Sequence, residues 1–241
     1  MSRRRVHLVA DYGQGDLGFA EIAQVLELAV AGAEVRLTRV PASDSLAAGW
    51  CAATLALCPG PPGRLVVIDV AAPEGDHYCV GRTADGVEVV SANSGWAWSF
   101  LAGEVSGPYC MEVPAGERAA QLVAEAVVRV AKRQPHALLE PLLREEIPPV
   151  PESVVAFVGC DGSLETTIPY TPGVVGERVR VRIGDAAATA LITEGHAPVE
   201  DGALALRPGP RSNSSLTVRG GSAAELFCSP SSGAPVAVDR A

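Results

Sequence analysis

The segment REEIPPVPES, residues 144–153, separates two textures of sequence, and that change constrains the fold more than any other feature. Pro148, Pro149 and Pro151 lack the N–H that a helix interior or a central strand needs, so regular structure cannot run through this stretch. Before it, strand-like and helix-like periods alternate. VHLVA reads as a buried strand, FAEIAQVLELAVAG as a helix ending at a glycine, and AEVRLTRV as an alternating strand. SDSLAAGWCAATLALC reads as a second helix, with Ser43 or Asp44 as its cap. GRLVVIDV is the most apolar strand, HYCVGRTADGVEVVSA a hairpin turning at Asp85-Gly86, and GERAAQLVAEAVVRVAKR a long helix. After the prolines every apolar run has strand character: SVVAFVG, LETTIPY, ERVRVRIG, AATALIT, GALALR, SSLTVRG, AAELFC and APVAVD. The expectation is an α/β N-terminal domain over residues 1–147, a largely parallel sheet with flanking helices, followed by a C-terminal all-β domain over residues 148–241, a small barrel or a sandwich by its strands.

The charge balance narrows the partners. A formal net charge of −9 argues against nucleic acid, whose phosphates require clustered Lys and Arg. The basic residues are arginine apart from Lys132, a bias typical of a GC-rich genome such as an actinomycete's. The opening MSRRRVHLVADYG breaks its apolar run at His7 and Asp11, too soon for a leader or a membrane span, so a cytoplasmic protein without membrane contact is expected. Cys51, Cys58, Cys79, Cys110, Cys160 and Cys228 are scattered with no C-x-x-C pair and read as small hydrophobes. His7, His136 and His196 have no metal-ligand spacing, and no metal is expected. The chain has no P-loop and no nucleophile elbow.

The residues with chemical potential follow strands. Asp11 stands just past the first strand, where open α/β sheets bind ligands, and Asp16 lies five residues on across Gly13 and Gly15. Two carboxylates there could hold a diol and a cationic amine, or could simply cap a turn and a helix N-terminus. VVIDVAAPEGDHY ends a strand on Asp69 and continues to Glu74, Asp76 and His77. In SGWAWSF, Trp96 and Trp98 share a face if the segment is a strand, and would wall a pocket or pack a core or a subunit interface.

In order along the chain, ADYGQGD, VVIDV, SANSG and LTVRGGSAAEL resemble the motifs of the S-adenosylmethionine hydroxide adenosyltransferases and the related chlorinases and fluorinases. The resemblance implies a C-terminal β-barrel, and a homotrimer with its site between domains of neighbouring subunits. It implies that Asp11 and Tyr12 belong to the ribose-binding opening and that Asp16 lies near the methionine end. Asn93 would be a polar group at the pocket wall, and Arg219, Ser222 and Ala223 would contact adenine, largely through backbone groups.

The departures from that family point elsewhere. Where the family carries an arginine seven residues after the strand aspartate, this chain has Asp76, which reverses the sign of the field. Pro114 or Ala115 stands where the family supplies a histidine, and His77, beside a hairpin, either substitutes for it or has a solvated or structural role. In VGCDGS, residues 158–163, Val158 replaces a carboxylate and Ser163 an asparagine that help hold the methionine. The expected function is therefore an enzyme of natural-product metabolism on this scaffold. It would catalyse an S-adenosylmethionine-independent cyclisation or rearrangement of a largely apolar small molecule, with no cofactor required. Asp69 and Asn93 would be catalytic, and Asp11, Tyr12, Asp16, Trp96, Trp98, Ser163, Arg219, Ser222 and Ala223 would bind substrate. The alternatives are an S-adenosylmethionine hydrolase or halogenase, with S-adenosylmethionine as substrate, and a non-catalytic adenosine- or S-adenosylmethionine-binding protein.

Overall fold

Leu65–Asp69 (β3) is apolar on both faces until its last residue, as a strand covered from both sides must be. It lies inside a seven-stranded sheet of order β2-β1-β3-β5-β4-β6-β7. The other strands are Arg5–Ala10 (β1), Glu34–Arg39 (β2), Tyr78–Thr83 (β4), Glu88–Ala92 (β5), Val105–Met111 (β6) and Leu138–Pro141 (β7). The computed structural model describes residues 4–30, 32–70, 78–111, 123, 126–130, 138–170, 173–195, 197 and 199–240. Two compact units emerge, Met1–Pro149 and Val150–Ala241.

In the first unit β2, β1, β3 and β5 run parallel, whereas β4, β6 and β7 join by antiparallel pairing. The expected largely parallel sheet is thus a mixed one. The cause is the tight β4–β5 hairpin: the chain turns at Gly86, with φ +79°, and returns next to itself instead of crossing over a helix. Helix Leu17–Ala29 (α1) buries Ile22 and Leu26 with Val6, Leu8 and Ala10 of β1, Leu65 and Val67 of β3, and Val123, Ala126 and Val127. Residues 126–130 are helical. Helix Ser45–Leu57 (α2) packs across β1, β3 and β5. Its start is set by Asp44, whose Oδ1 accepts the Ala47 N–H at 2.9 Å. A Cβ at Gly49 would strike the Trp96 main-chain oxygen, so glycine lets α2 close onto the segment that follows β5.

The second unit is also one seven-stranded mixed sheet, of order β14-β10-β11-β12-β13-β9-β8. Its strands are Val155–Val158 (β8), Leu164–Pro169 (β9), Arg178–Ile183 (β10), Ala186–Ile192 (β11), Leu204–Pro208 (β12), Asn213–Val218 (β13) and Val236–Arg240 (β14). Among the described residues only β11 and β12 pair in parallel. The strict alternation of VRVRI buries Val179, Val181 and Ile183 and exposes Arg178, Arg180 and Arg182. The two sheet edges approach at the Val154–Pro235 bridge, where the Val155, Gly233 and Val236 N–H groups donate to the carbonyls of Ala234, Val155 and Ser153 at 2.9, 2.8 and 2.7 Å. The sheet therefore forms a half-barrel, where a barrel was expected.

AAELFC departs from its expected strand. Ala223–Leu226 is a helical turn, because Ser222 Oγ accepts the Glu225 N–H at 3.1 Å in an S-x-x-E start signal. SGWAWSF is likewise not a strand. Ala97, Ser99 and Leu101 donate to the carbonyls of Ser94, Trp96 and Trp98, making successive three-residue turns. That period separates the two indoles.

Candidate active site

Three adjacent parallel strands present their carboxyl ends together in the first unit. Ala10 of β1 is in register with Asp69 of β3, and Ile68 with Ser91 of β5. The residues that follow these strands are therefore neighbours: Asp11 and Tyr12 after β1, Asp69 closing β3, and Asn93 after β5. This is the end at which open α/β sheets place ligands.

The Tyr12 hydroxyl donates to Asp69 Oδ2 at 2.6 Å. Burial raises the Asp69 pKa above the usual carboxylate range; the Tyr12 hydrogen bond opposes this, and the nearby Asp11 charge adds to it. Burial and the Asp69 charge push the Tyr12 phenol well above its ordinary range, so it stays protonated as a donor. Tyr78 feels the same two influences, burial first and the Asp69 charge second, and its pKa is also raised. The arrangement is a carboxyl group biased toward its acid form, with one tyrosine hydrogen-bonded to it and a second within its field. Such a group keeps its proton to a higher pH than an ordinary aspartate does, which is what a candidate general acid needs.

Asp11 and Asp16 hold the backbone. Asp11 Oδ2 accepts the N–H of Ser43 at 2.9 Å, fixing a residue whose backbone is left-handed at φ +56° just ahead of α2. Asp16 Oδ2 accepts the Gly13 N–H within its own turn. Asn93 is followed by Ser94 and Gly95, and Ser45 Oγ accepts the Trp96 N–H at 3.2 Å. A cavity of about 10 Å³ between Ser45, Ile68, Ser91 and Ala97 has room for about one water molecule.

The two tryptophans do not form one wall. Trp98 is 1 % exposed and lies over Gly81 of β4, where a Cβ would come within 3.1 Å of its ring. Trp96 is 39 % exposed. Trp98 is a core residue, and Trp96 is the indole available to a ligand. Asp76, His77, Pro114 and Ala115, on which the comparison of catalytic groups turned, lie outside the described residues.

In the second unit Ser163, Ser222 and Ala223 come together. Ser163 donates through its N–H and Oγ to Asp161 Oδ1 at 3.0 and 2.7 Å, holding the Asp161 pKa low. Gly162, at φ +77°, has Ser222 where a Cβ would stand, and its carbonyl accepts the Ala224 N–H. Arg219 turns away to Asp201 at 2.9 Å and to the Val199 carbonyl at 2.9 Å. It borders a cleft of about 340 Å³ with Thr193, Arg207 and Thr217.

Tyr78 escaped the sequence reading. It opens a hairpin strand, and only the placement of β4 beside β5 brings it within reach of Asp69's charge. Among the described residues no group of three or more His, Cys, Asp or Glu could hold a metal ion, and no helix is long and apolar enough to cross a membrane.

No family model matches the chain, and no curated protein matches it by sequence. Its whole length is similar in structure to an uncharacterized conserved protein from Thermotoga maritima, with TM-score 0.82 and 18 % identity over 98 % of this chain and 100 % of that one. A conserved hypothetical protein from Thermus thermophilus is similar at TM-score 0.68 and 20 % identity, over 98 % of this chain and 99 % of the other. These likenesses show the fold. They assign no chemistry to it.

Proposed function

We propose that the protein is an acid–base enzyme that isomerises a largely apolar small molecule, by cyclisation or rearrangement, without consuming S-adenosylmethionine. The observation that carries this reading is the Tyr12–Asp69 hydrogen bond at 2.6 Å, at the carboxyl ends of β1 and β3, with the Asp69 pKa raised by burial. Asp69 exchanges the proton with substrate through the oxygen that Tyr12 does not occupy. Tyr12 orients the carboxyl group and remains protonated, and Asn93 offers a neutral amide at the end of the next strand. Holding one reactive conformer against such a group lowers a barrier without a cofactor. The departures from the adenosyltransferase motifs at Asp76, Val158 and Ser163 support the same reading, because they remove two charges and an amide that a sulfonium substrate and an activated water would use.

Isomerisation conserves mass, which makes the test specific. An extract of the source cells is incubated with wild-type protein or with Asp69→Asn and followed by liquid chromatography with mass detection. The expected result is a compound that changes retention time without changing mass, at a rate lowered about 10²-fold or more in the variant. Equal conversion by both proteins would remove Asp69 from the chemistry. A product carrying an adenosyl group would replace the proposal with adenosyl transfer.

A further inference from the structure

Cys79 of β4 and Cys110 of β6 are direct register partners across an antiparallel ladder, with their sulfur atoms 3.2 Å apart. Directly opposed residues in such a ladder have Cα atoms about 4.5–5.5 Å apart, inside the window of about 4.4–6.8 Å that a disulfide requires. The backbone thus already holds the two side chains where a bridge can close. The thirty residues between them gave no spacing signal, and only the β4–β6 pairing brings them together. Cys58, Cys160 and Cys228 are exposed.

We propose that Cys79 and Cys110 form a dithiol–disulfide pair, a covalent modification site oxidised by a low-molecular-weight disulfide. Cys110 is partly exposed and Cys79 fully buried, which sets the order of events. The Cys110 thiolate attacks one sulfur of the small disulfide, forming a mixed disulfide and releasing one thiolate. Cys79 then gives up its proton and attacks Cys110 Sγ, expelling the second thiolate. The two cysteines are oxidised by two electrons, the small disulfide is reduced to two thiols, and the two cysteine protons leave on them. Burial and the neighbouring sulfur raise the Cys79 pKa, consistent with its acting second and only once its partner is activated. The bridge would close a loop that contains β5, Asn93 and both indoles, one residue beyond Tyr78. The proposal stands apart from the function assigned to Asp69.

The wild-type chain serves as the test. Native protein is equilibrated with glutathione buffers of increasing oxidised fraction, quenched with acid, alkylated and mapped by mass spectrometry. The expected result is a peptide pair linked through Cys79 and Cys110, two hydrogens lighter than its reduced parts and recovered as two alkylated thiols after dithiothreitol. Cys110→Ser should leave Cys79 unmodified across the series. Either Cys79 and Cys110 both alkylated at every buffer, or Cys110 stopping as the glutathione adduct beside a free Cys79, would overturn the proposal. A linked peptide joining either cysteine to another partner would do the same.

Discussion

Asp69 is the residue on which stability and the proposed chemistry meet. Its pKa is raised above the ordinary value of 3.8, with burial as the main cause. In the pH window between its unfolded and folded pKa values the native state therefore holds more proton than the unfolded state, and stability falls as pH rises through that window. The carboxyl group's favourable contribution is complete below the unfolded value and gone above the folded one. Asp69→Asn cannot titrate and should lack this fall. Chemical denaturation of both proteins from pH 4 to pH 8 checks it: the variant's stability relative to wild type is expected to rise with pH, and a constant difference would mean that the Asp69 pKa is not raised. Asp69 itself was legible in the sequence, since a lone carboxylate closing an apolar strand stands out. Tyr12 was legible only as part of a motif and Tyr78 not at all, because a tyrosine's role here depends on which strand end it lands beside.

At the scale of elements, the strand readings around the site survive because their periods are strong. VHLVA and GRLVVIDV became β1 and β3, and the hairpin turned at Gly86. The failures came where a capping or turn signal competed with apolar content. Ser222 and Glu225 start a helical turn inside an apolar run read as a strand, and the main chain after Asn93 coils so that Trp96 and Trp98 part company. The first helix after β2 illustrates how a local signal positions the site. Asp44 caps α2, and the adjacent Ser43 is tied to Asp11. Asp44→Ala is expected to cost about 1 kcal/mol of stability in urea denaturation; a variant as stable as wild type would show that packing of α2 alone sets its start.

For the molecule as a whole, the sequence conveyed the change from mixed helix and strand to strand alone, but not how each sheet would finish. The first sheet is mixed because β4 returns beside β5 and brings β6 and β7 with it. The second stops at a half-barrel joined at the Val154–Pro235 bridge, since strand period says nothing about closure. The trimer was expected from family resemblance, and no motif of the chain carries it by itself. The likeness to the Thermotoga maritima protein, over 98 % of this chain and 100 % of that one, shows the fold. Whether the chain acts on S-adenosylmethionine decides between the proposed isomerisation and the adenosyl transfer that the motif resemblance alone would imply. Calorimetric titration of the purified protein with S-adenosylmethionine, followed by chromatography of the mixture for adenosine and methionine, tests this most directly. Neither product is expected above a protein-free control; release of both by wild-type protein, lost in Asp69→Asn, would contradict the proposed isomerisation.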